Sequence, residues 1–301
     1  MARIAIVGAG YVGVVTAVAF ARDGHKVICS DIDVKRVNSL RKGNSPFFEP
    51  GLEDALQEVL DGSQLTFTTD TPEAAHGADF VFLCVGTPSR EDGSMDLSGL
   101  KAATRDVAQG LSKSGEESTV VVKSTVVPGT TEEVLRPIMK GAAVSRDIGL
   151  AVNPEFLREG MALKDAEKPE RIVIGVYGPR TSERMRRLYS NVQCPIYETD
   201  LRAAEMIKMA TNSFLAMKVA FADELANICG RLGISYDEVI KGVTLDPRIN
   251  PRFLVPGVGF GGSCFPKDLR ALIAIGRKMG YEARLLDAVR VQNETQYLEA
   301  V

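Results

Sequence analysis

The 301-residue chain is long enough for two domains, and its 45% hydrophobic and 25% charged content is that of an ordinary globular protein, not of a fibre or a disordered segment. A formal net charge of -3 at pH 7, with no dense basic block, argues against nucleic-acid and membrane-surface partners and leaves a small anionic ligand open. The five cysteines (Cys29, Cys84, Cys194, Cys229, Cys264) are scattered and lack C-x-x-C spacing, so neither a disulfide framework nor a metal site is expected.

The N-terminus runs straight into Ile4-Ala5-Ile6-Val7 with no separate signal peptide. No stretch of about 18 uncharged apolar residues follows, so a cytoplasmic protein is expected. The first apolar run ends in Gly8-Ala9-Gly10-Tyr11-Val12-Gly13, which opens an apolar helix to Arg22 that Gly24 stops. A second run, Lys26–Ser30, ends on Asp31. Strand, glycine loop, helix, strand and acid follow at the spacing of a dinucleotide-binding unit. Its glycines let backbone approach a pyrophosphate, the helix start attracts it, and Asp31 can bond the ribose hydroxyls. Asp31 would also repel a ribose phosphate, which favours NAD over NADP; Arg36, five residues on, tempers that preference.

Strand-like runs recur at Leu65–Thr68, 79–85, 119–123, Gly149–Val152, 171–176 and 195–197, with helical patterns between most of them. This alternation predicts an α/β fold, a Rossmann-type doubly wound, largely parallel sheet over 1–198. Ligands of such sheets gather beyond the carboxyl ends of the strands, where Gly86-Thr87-Pro88, Ser124-Thr125 and Asn153-Pro154-Glu155 are polar. Turn capping is an equal reading of Thr87 and Thr125, and a solvated loop the simpler reading of Glu155, Arg158 and Glu159.

A helical pattern over 199–231, capped by Thr199 or Asp200 and closed by Gly233, would run roughly 45–50 Å. Its apolar residues lie on more than one face, so burial on several sides by a second domain or subunit is expected within a helical domain over 199–301. Lys208 and Asn212, four apart, share a face and could flank a substrate oxygen, or be a snorkelling lysine and a local amide. Further on, Pro256-Gly-Val-Gly-Phe-Gly-Gly-Ser-Cys-Phe-Pro-Lys-Asp268 places Cys264 before a helix start, with Pro266 suited to the first helical position. Leu269, Leu272, Ile273 and Met279 carry the helical spacing to Gly280. A thiol at the positive end of a helix, with Lys267 close by, favours the reactive thiolate; a buried, inert Cys is the competing reading.

Six stretches in order, Gly8 to Gly13, Val85-Gly-Thr-Pro88, Lys123-Ser-Thr-Val126, Asn153-Pro-Glu-Phe-Leu-Arg-Glu159, Ala204-Glu-Met-Ile-Lys-Met-Ala-Thr-Asn212 and Phe260-Gly-Gly-Ser-Cys-Phe-Pro-Lys-Asp268, resemble the UDP-glucose/GDP-mannose 6-dehydrogenases. The resemblance spans nearly the whole chain. It implies oxidation of a sugar CH2OH to a carboxylate with two NAD+, UDP-glucose first and GDP-mannose or a UDP-N-acetylhexosamine as alternatives. Asp268, through water with Lys208, is the implied first base. Cys264 forms a thiohemiacetal and then a thioester, Lys208 and Asn212 stabilise the oxyanion, and Glu155, Thr125 and Asp268 place the hydrolytic water. Substrate lining is implied for Glu155, Phe156, Leu157, Arg158, Lys208, Asn212, Phe253, Leu254, Val255, Pro256, Gly257 and Gly261. Gly8, Gly10, Tyr11, Val12, Gly13, Asp31, Arg36, Thr87, Thr125, Glu159 and Lys267 would contact NAD.

The long helix is too apolar for one small domain to cover, so a homodimer across 199–231 is expected, and the resemblance implies that Arg248 crosses to the neighbouring subunit's site. Family members usually continue into a third, sugar-nucleotide-binding domain, whereas this chain stops at Val301. Two competing readings are a two-electron hydroxyacid dehydrogenase and a non-enzymatic NAD-binding or dimerisation fragment.

Overall fold

Eight short strands build one sheet in the order β3-β2-β1-β4-β5-β6-β7-β8. In chain order they are β1 (Arg3–Val7), β2 (Lys26–Ser30), β3 (Leu65–Thr68), β4 (Phe80–Leu83), β5 (Thr119–Val122), β6 (Gly149–Val152), β7 (Ile172–Val176) and β8 (Ile196–Thr199). The computed structural model describes residues 1–113, 117–141 and 148–299. All neighbouring strands pair in parallel except β6 and β7. The connection 153–171 holds one short helix and brings β7 back alongside β6 in the opposite direction. Strand order reverses beside β1, which puts the ligand crevice of such a sheet at the carboxyl ends of β1 and β4.

The helices are α1 (Tyr11–Arg22), α2 (Val34–Leu40), α3 (Leu52–Asp61), α4 (Thr71–Ala75), α5 (Ser98–Ser112), α6 (Arg136–Gly141), α7 (Ala162–Glu167), α8 (Pro179–Leu188), α9 (Leu201–Leu232), α10 (Tyr236–Val243), α11 (Phe265–Lys278) and α12 (Arg284–Glu299). A strand covered on both faces must be apolar where it is covered, and after the exposed Arg3 β1 satisfies this from Ile4 to Val7: alternate residues feed opposite cores. Ile4 and Ile6 join Val14, Val18, Phe82 and Leu56 on one side, while Ala5 and Val7 join Val81, Leu83, Leu100 and Val107 on the other.

The chain forms two compact units, 1–87 with 96–208 and 88–95 with 209–301. The division falls inside α9 because the first turns of that helix belong to the sheet: Leu201 and Ala204 are buried in the second of the two cores, with Ile207 packed against it. Asp200 caps α9, its Oδ1 accepting from the Ala203 N–H at 2.9 Å, and Gly233, at φ 66°, ends it. At ~1.5 Å per residue the 32-residue helix is about 48 Å long. The core of the second unit gathers Ala216 and Ala220 from α9, Leu269 and Ile273 from α11, and Val289 from α12. Among the described residues, no helix is long and apolar enough to cross a membrane.

Candidate active site

In the first unit each glycine of the β1–α1 turn has its own reason. Gly8 turns at φ 102°, and a Cβ there would stand 2.7 Å from the Cys84 carbonyl oxygen. A Cβ on Gly13 would stand 1.8 Å from the Gly8 carbonyl oxygen, so α1 can lie against the turn only with glycine there. Gly10 caps α1 without a side-chain bond, and nothing lies within 4 Å of where its Cβ would be. A side chain at Gly10 would thus point into open space beside the start of α1. Asp31 is buried at the end of β2; its Oδ2 accepts from the Ala9 N–H at 2.7 Å and from Arg36 Nη1 at 2.9 Å, and its Oδ1 from the Asp33 N–H at 2.9 Å. Arg36 thus lies on Asp31, its charge matched there.

The polar strand ends are bonded to each other. Thr87 is buried and donates through Oγ1 to the Thr125 carbonyl at 2.7 Å, while Ser124 Oγ donates to the Val85 carbonyl at 2.7 Å. Lys123 Nζ donates to Asn153 Oδ1 at 2.9 Å, which also accepts from the Tyr189 hydroxyl at 2.7 Å. Burial holds the Lys123 ammonium below its ordinary pKa, opposed by the nearby Cys84 and Glu155. Beyond β6, Glu155 is buried, not a solvated loop residue. Its Oε1 lies 2.7 Å from Lys208 Nζ and its Oε2 accepts from the Leu157 N–H at 2.7 Å. Lys208 is itself buried, with its ammonium 5.4 Å from the centre of the Phe156 ring. Arg158 forks onto Asp165, Nε to Oδ2 at 2.9 Å and Nη2 to Oδ1 at 2.5 Å, and Glu159 is exposed.

In the second unit Asn212 is buried one turn further along α9 and donates from Nδ2 to Asp268 Oδ2 at 2.6 Å. Asp268 is only 1% exposed, and Lys267 Nζ lies 2.6 Å from its other oxygen. α11 begins at Phe265, so Pro266 occupies its second position and Cys264 is the residue before it. At its other end Met279 is the C-cap and is exposed, and Gly280, at φ 77°, ends the run. Cys264 is exposed, whereas burial pushes the Cys29 and Cys194 thiols up and the Cys84 thiol to about 12. Among the described residues no group of His, Cys, Asp or Glu could hold a metal ion.

The loop before Cys264 is held by groups that the sequence alone did not single out. Asp223 Oδ1 accepts from the Gly257 N–H at 2.7 Å, and Gln296 Nε2 donates to the Gly257 carbonyl at 2.9 Å. Asn293 pairs with both backbone groups of Phe260, accepting at 2.6 Å and donating at 3.0 Å. Phe253 stands at φ 66°, a rare conformation for a bulky residue, and Tyr236 donates to the Leu254 carbonyl at 3.1 Å. Nothing lies within 4 Å of a Cβ placed on Gly261. Val255 and Arg248 are exposed, and the Arg248 guanidinium rests on Asp246.

Residues 2–193 match the UDP-glucose/GDP-mannose dehydrogenase family, NAD binding domain, and residues 202–295 match its central domain. UDP-glucose 6-dehydrogenase TuaD of Bacillus subtilis is 41% identical over 301 residues, 100% of this chain and 65% of that protein. GDP-mannose 6-dehydrogenase of Pseudomonas syringae is 39% identical over 303 residues, covering 99% of this chain and 69% of its own. A solved UDP-glucose dehydrogenase from Pyrobaculum islandicum superposes with a TM-score of 0.95 at 44% identity, over 98% of this chain and 68% of that one. The chain thus spans 65% of the length of the Bacillus relative. With its glycine turn open for a dinucleotide and both domain matches in order, the chain belongs to the UDP-glucose/GDP-mannose dehydrogenase family, of which it carries the NAD-binding and central domains.

Proposed function

We propose that the chain serves the NAD+-dependent oxidation of a sugar nucleotide, UDP-glucose foremost, from its C6 alcohol to the carboxylate. The observation that carries this reading is an exposed thiol at a helix start in a chain that also buries polar pairs on successive turns of α9, Lys208 with Glu155 and Asn212 with Asp268, the latter carboxylate also held by the part-exposed Lys267. A buried ion pair contributes little net stability, so its retention fits a chemical role better than a structural one.

Asp268, acting through a water with Lys208, takes the C6 hydroxyl proton in the first oxidation. Cys264 then adds to the aldehyde carbon, its thiol proton leaving to solvent, and Lys208 and Asn212 stabilise the thiohemiacetal oxygen. NAD+, when bound, supplies the hydride acceptor for each oxidation, two equivalents in all. The second oxidation leaves Cys264 as a thioester. Glu155, with Thr125 and Asp268, sets the water that hydrolyses it, releasing the acid and the free thiol. The alcohol thereby loses four electrons as two hydrides and gains one oxygen from water. Dinucleotide contacts are assigned to the glycine turn, Asp31, Arg36, Thr87, Thr125, Glu159 and Lys267, and sugar-nucleotide lining to Phe156 to Arg158, Phe253 to Gly257 and Gly261. A homodimer through α9 belongs to the same reading.

The test is the yield of NADH per sugar nucleotide with UDP-glucose, GDP-mannose and UDP-N-acetylmannosamine. Two NADH per UDP-glucose, with the acid as product, is expected. One NADH with free aldehyde overturns the four-electron reading in favour of a two-electron dehydrogenase. Cofactor binding with no NADH from any of the three points instead to a binding fragment.

A further inference from the structure

Glu49 lies between α2 and α3 and is 5% exposed. Its Oε2 accepts from the Tyr11 hydroxyl and from the Gly160 N–H at 2.9 Å, and its Oε1 accepts from the Ala162 N–H at 2.8 Å. One carboxylate therefore joins three segments far apart in the chain: the glycine turn, its own segment, and the turn that follows Glu159. Among the described residues no Lys or Arg forms an ion pair with it, so these three donors stand in for a counter-ion. An ionised carboxyl tolerates burial only while hydrogen-bonded, so displacing either partner segment exposes an uncompensated charge.

The partners are placed where the dinucleotide would lie. Tyr11 is the first residue of α1, next to Gly10 and its open space. Its ring packs on Phe47 of the Glu49 segment with centroids 5.0 Å apart, so that segment holds the tyrosine by its face and by its hydroxyl. Gly160 turns at φ 80° directly after Glu159, and Arg158 beside it is locked onto Asp165. We infer that Glu49 is a positioning residue of the cofactor site: it sets Tyr11 and the 158–162 turn in register with each other before the dinucleotide arrives. The inference rests on the NAD reading of the glycine turn. Burial first, and then the hydrogen bond and charge of Glu49, raise the Tyr11 phenol well above its ordinary pKa, so it remains a donor through the neutral range.

The chain has no tryptophan, so NADH fluorescence can be followed without that overlap. NADH is titrated into the wild type, Glu49→Gln, Tyr11→Phe and the double variant, with thermal midpoints recorded in parallel. Glutamine offers one acceptor oxygen where three donors converge, so Glu49→Gln should weaken NADH about ten-fold and Tyr11→Phe about three-fold. The double variant should be no weaker than Glu49→Gln alone, since both changes break one shared bond. A phenolate absorbance titration gives a second readout: Tyr11 should ionise at a lower pH in Glu49→Gln than in the wild type, though burial still holds it above the ordinary range. If Glu49→Gln fails to fold, Tyr11→Phe, which leaves both backbone bonds in place, still decides the matter through its own NADH affinity. Unchanged affinity in the folded variants, or additive losses in the double variant, overturns the inference. A wild type that does not bind NADH overturns the cofactor reading instead, and the phenolate titration then decides the Glu49 contact by itself.

Discussion

If Cys264 is a nucleophile needed only after the first oxidation, it can be removed without removing the binding contacts. Cys264→Ser should bind NAD+ and sugar nucleotide like the wild type, while steady-state acid formation falls at least about 10³-fold. A serine hydroxyl is a weaker nucleophile than a thiol, and its ester hydrolyses more slowly than a thioester, so an adduct visible by mass spectrometry is expected. Near-normal turnover would return Cys264 to an unreactive role. Asp31 gives a second test at this scale. Its carboxylate holds both the Ala9 N–H and Arg36, so a 2'-phosphate meets a negative charge and a guanidinium already engaged. NAD+ should bind at least about ten-fold tighter than NADP+. Asp31→Asn should narrow that gap by releasing Arg36, and equal affinities in the wild type would sink the assignment.

Among the elements, those legible in the sequence are those whose cause is local. The β1–α1 turn could be read because its glycines follow one another at fixed spacing between a strand and a helix, with Gly13 packing directly on Gly8, and α9 because a proline-free run ends at a glycine. The reversed direction of β7 could not, since it depends on how 153–171 returns to the sheet and not on the residues of the strand. Nor could the side chains that hold the site segments: Glu49 bonds Tyr11 across 38 residues and Gly160 across 111, and Asn293 bonds Phe260 across 33. Asn212 was visible by its spacing from Lys208, but its bond to Asp268, 56 residues on, was not.

Asp223 is one of these unforeseen groups, and it carries a pH dependence. Burial raises its carboxyl above the ordinary range, opposed by the bond from the Gly257 N–H, and its Oδ2 has no partner among the described residues. For an acid whose folded pKa is raised, the folded state holds more protons than the unfolded one between the two pKa values. The stabilisation is therefore full below the unfolded carboxyl pKa and is lost as pH rises through the raised folded pKa. Asp223→Asn keeps an acceptor for Gly257 but does not ionise. The fall in melting temperature as pH rises above the ordinary carboxyl range should be smaller in the variant than in the wild type. Identical pH profiles for both proteins would show that Asp223 does not titrate in that range.

At the scale of the whole molecule the second unit presents more apolar surface than a lone subunit can use. On α9, Phe214, Phe221 and Ile228 are 58%, 52% and 49% exposed, and their seven-residue spacing puts them on one face. A groove of about 940 Å³ continues that face, with Phe221, Tyr281, Leu285 and Val291 among its lining. Contiguous apolar patches of this kind mark an interface, and a two-fold axis across one long helix lets the same face cover itself. A dimer at micromolar concentration is therefore expected by light scattering, and Phe221→Glu should give a monomer. If Arg248, exposed at the surface, serves the neighbouring subunit's site, then Arg248→Ala and Cys264→Ser should each be inactive alone yet complement when mixed. A mixed dimer would hold one site with both an intact Cys264 and an arginine from its neighbour, restoring about a quarter of wild-type activity after random exchange. No recovery on mixing, with exchange verified by tagged subunits, would mean that each site draws its arginine from its own chain or needs none.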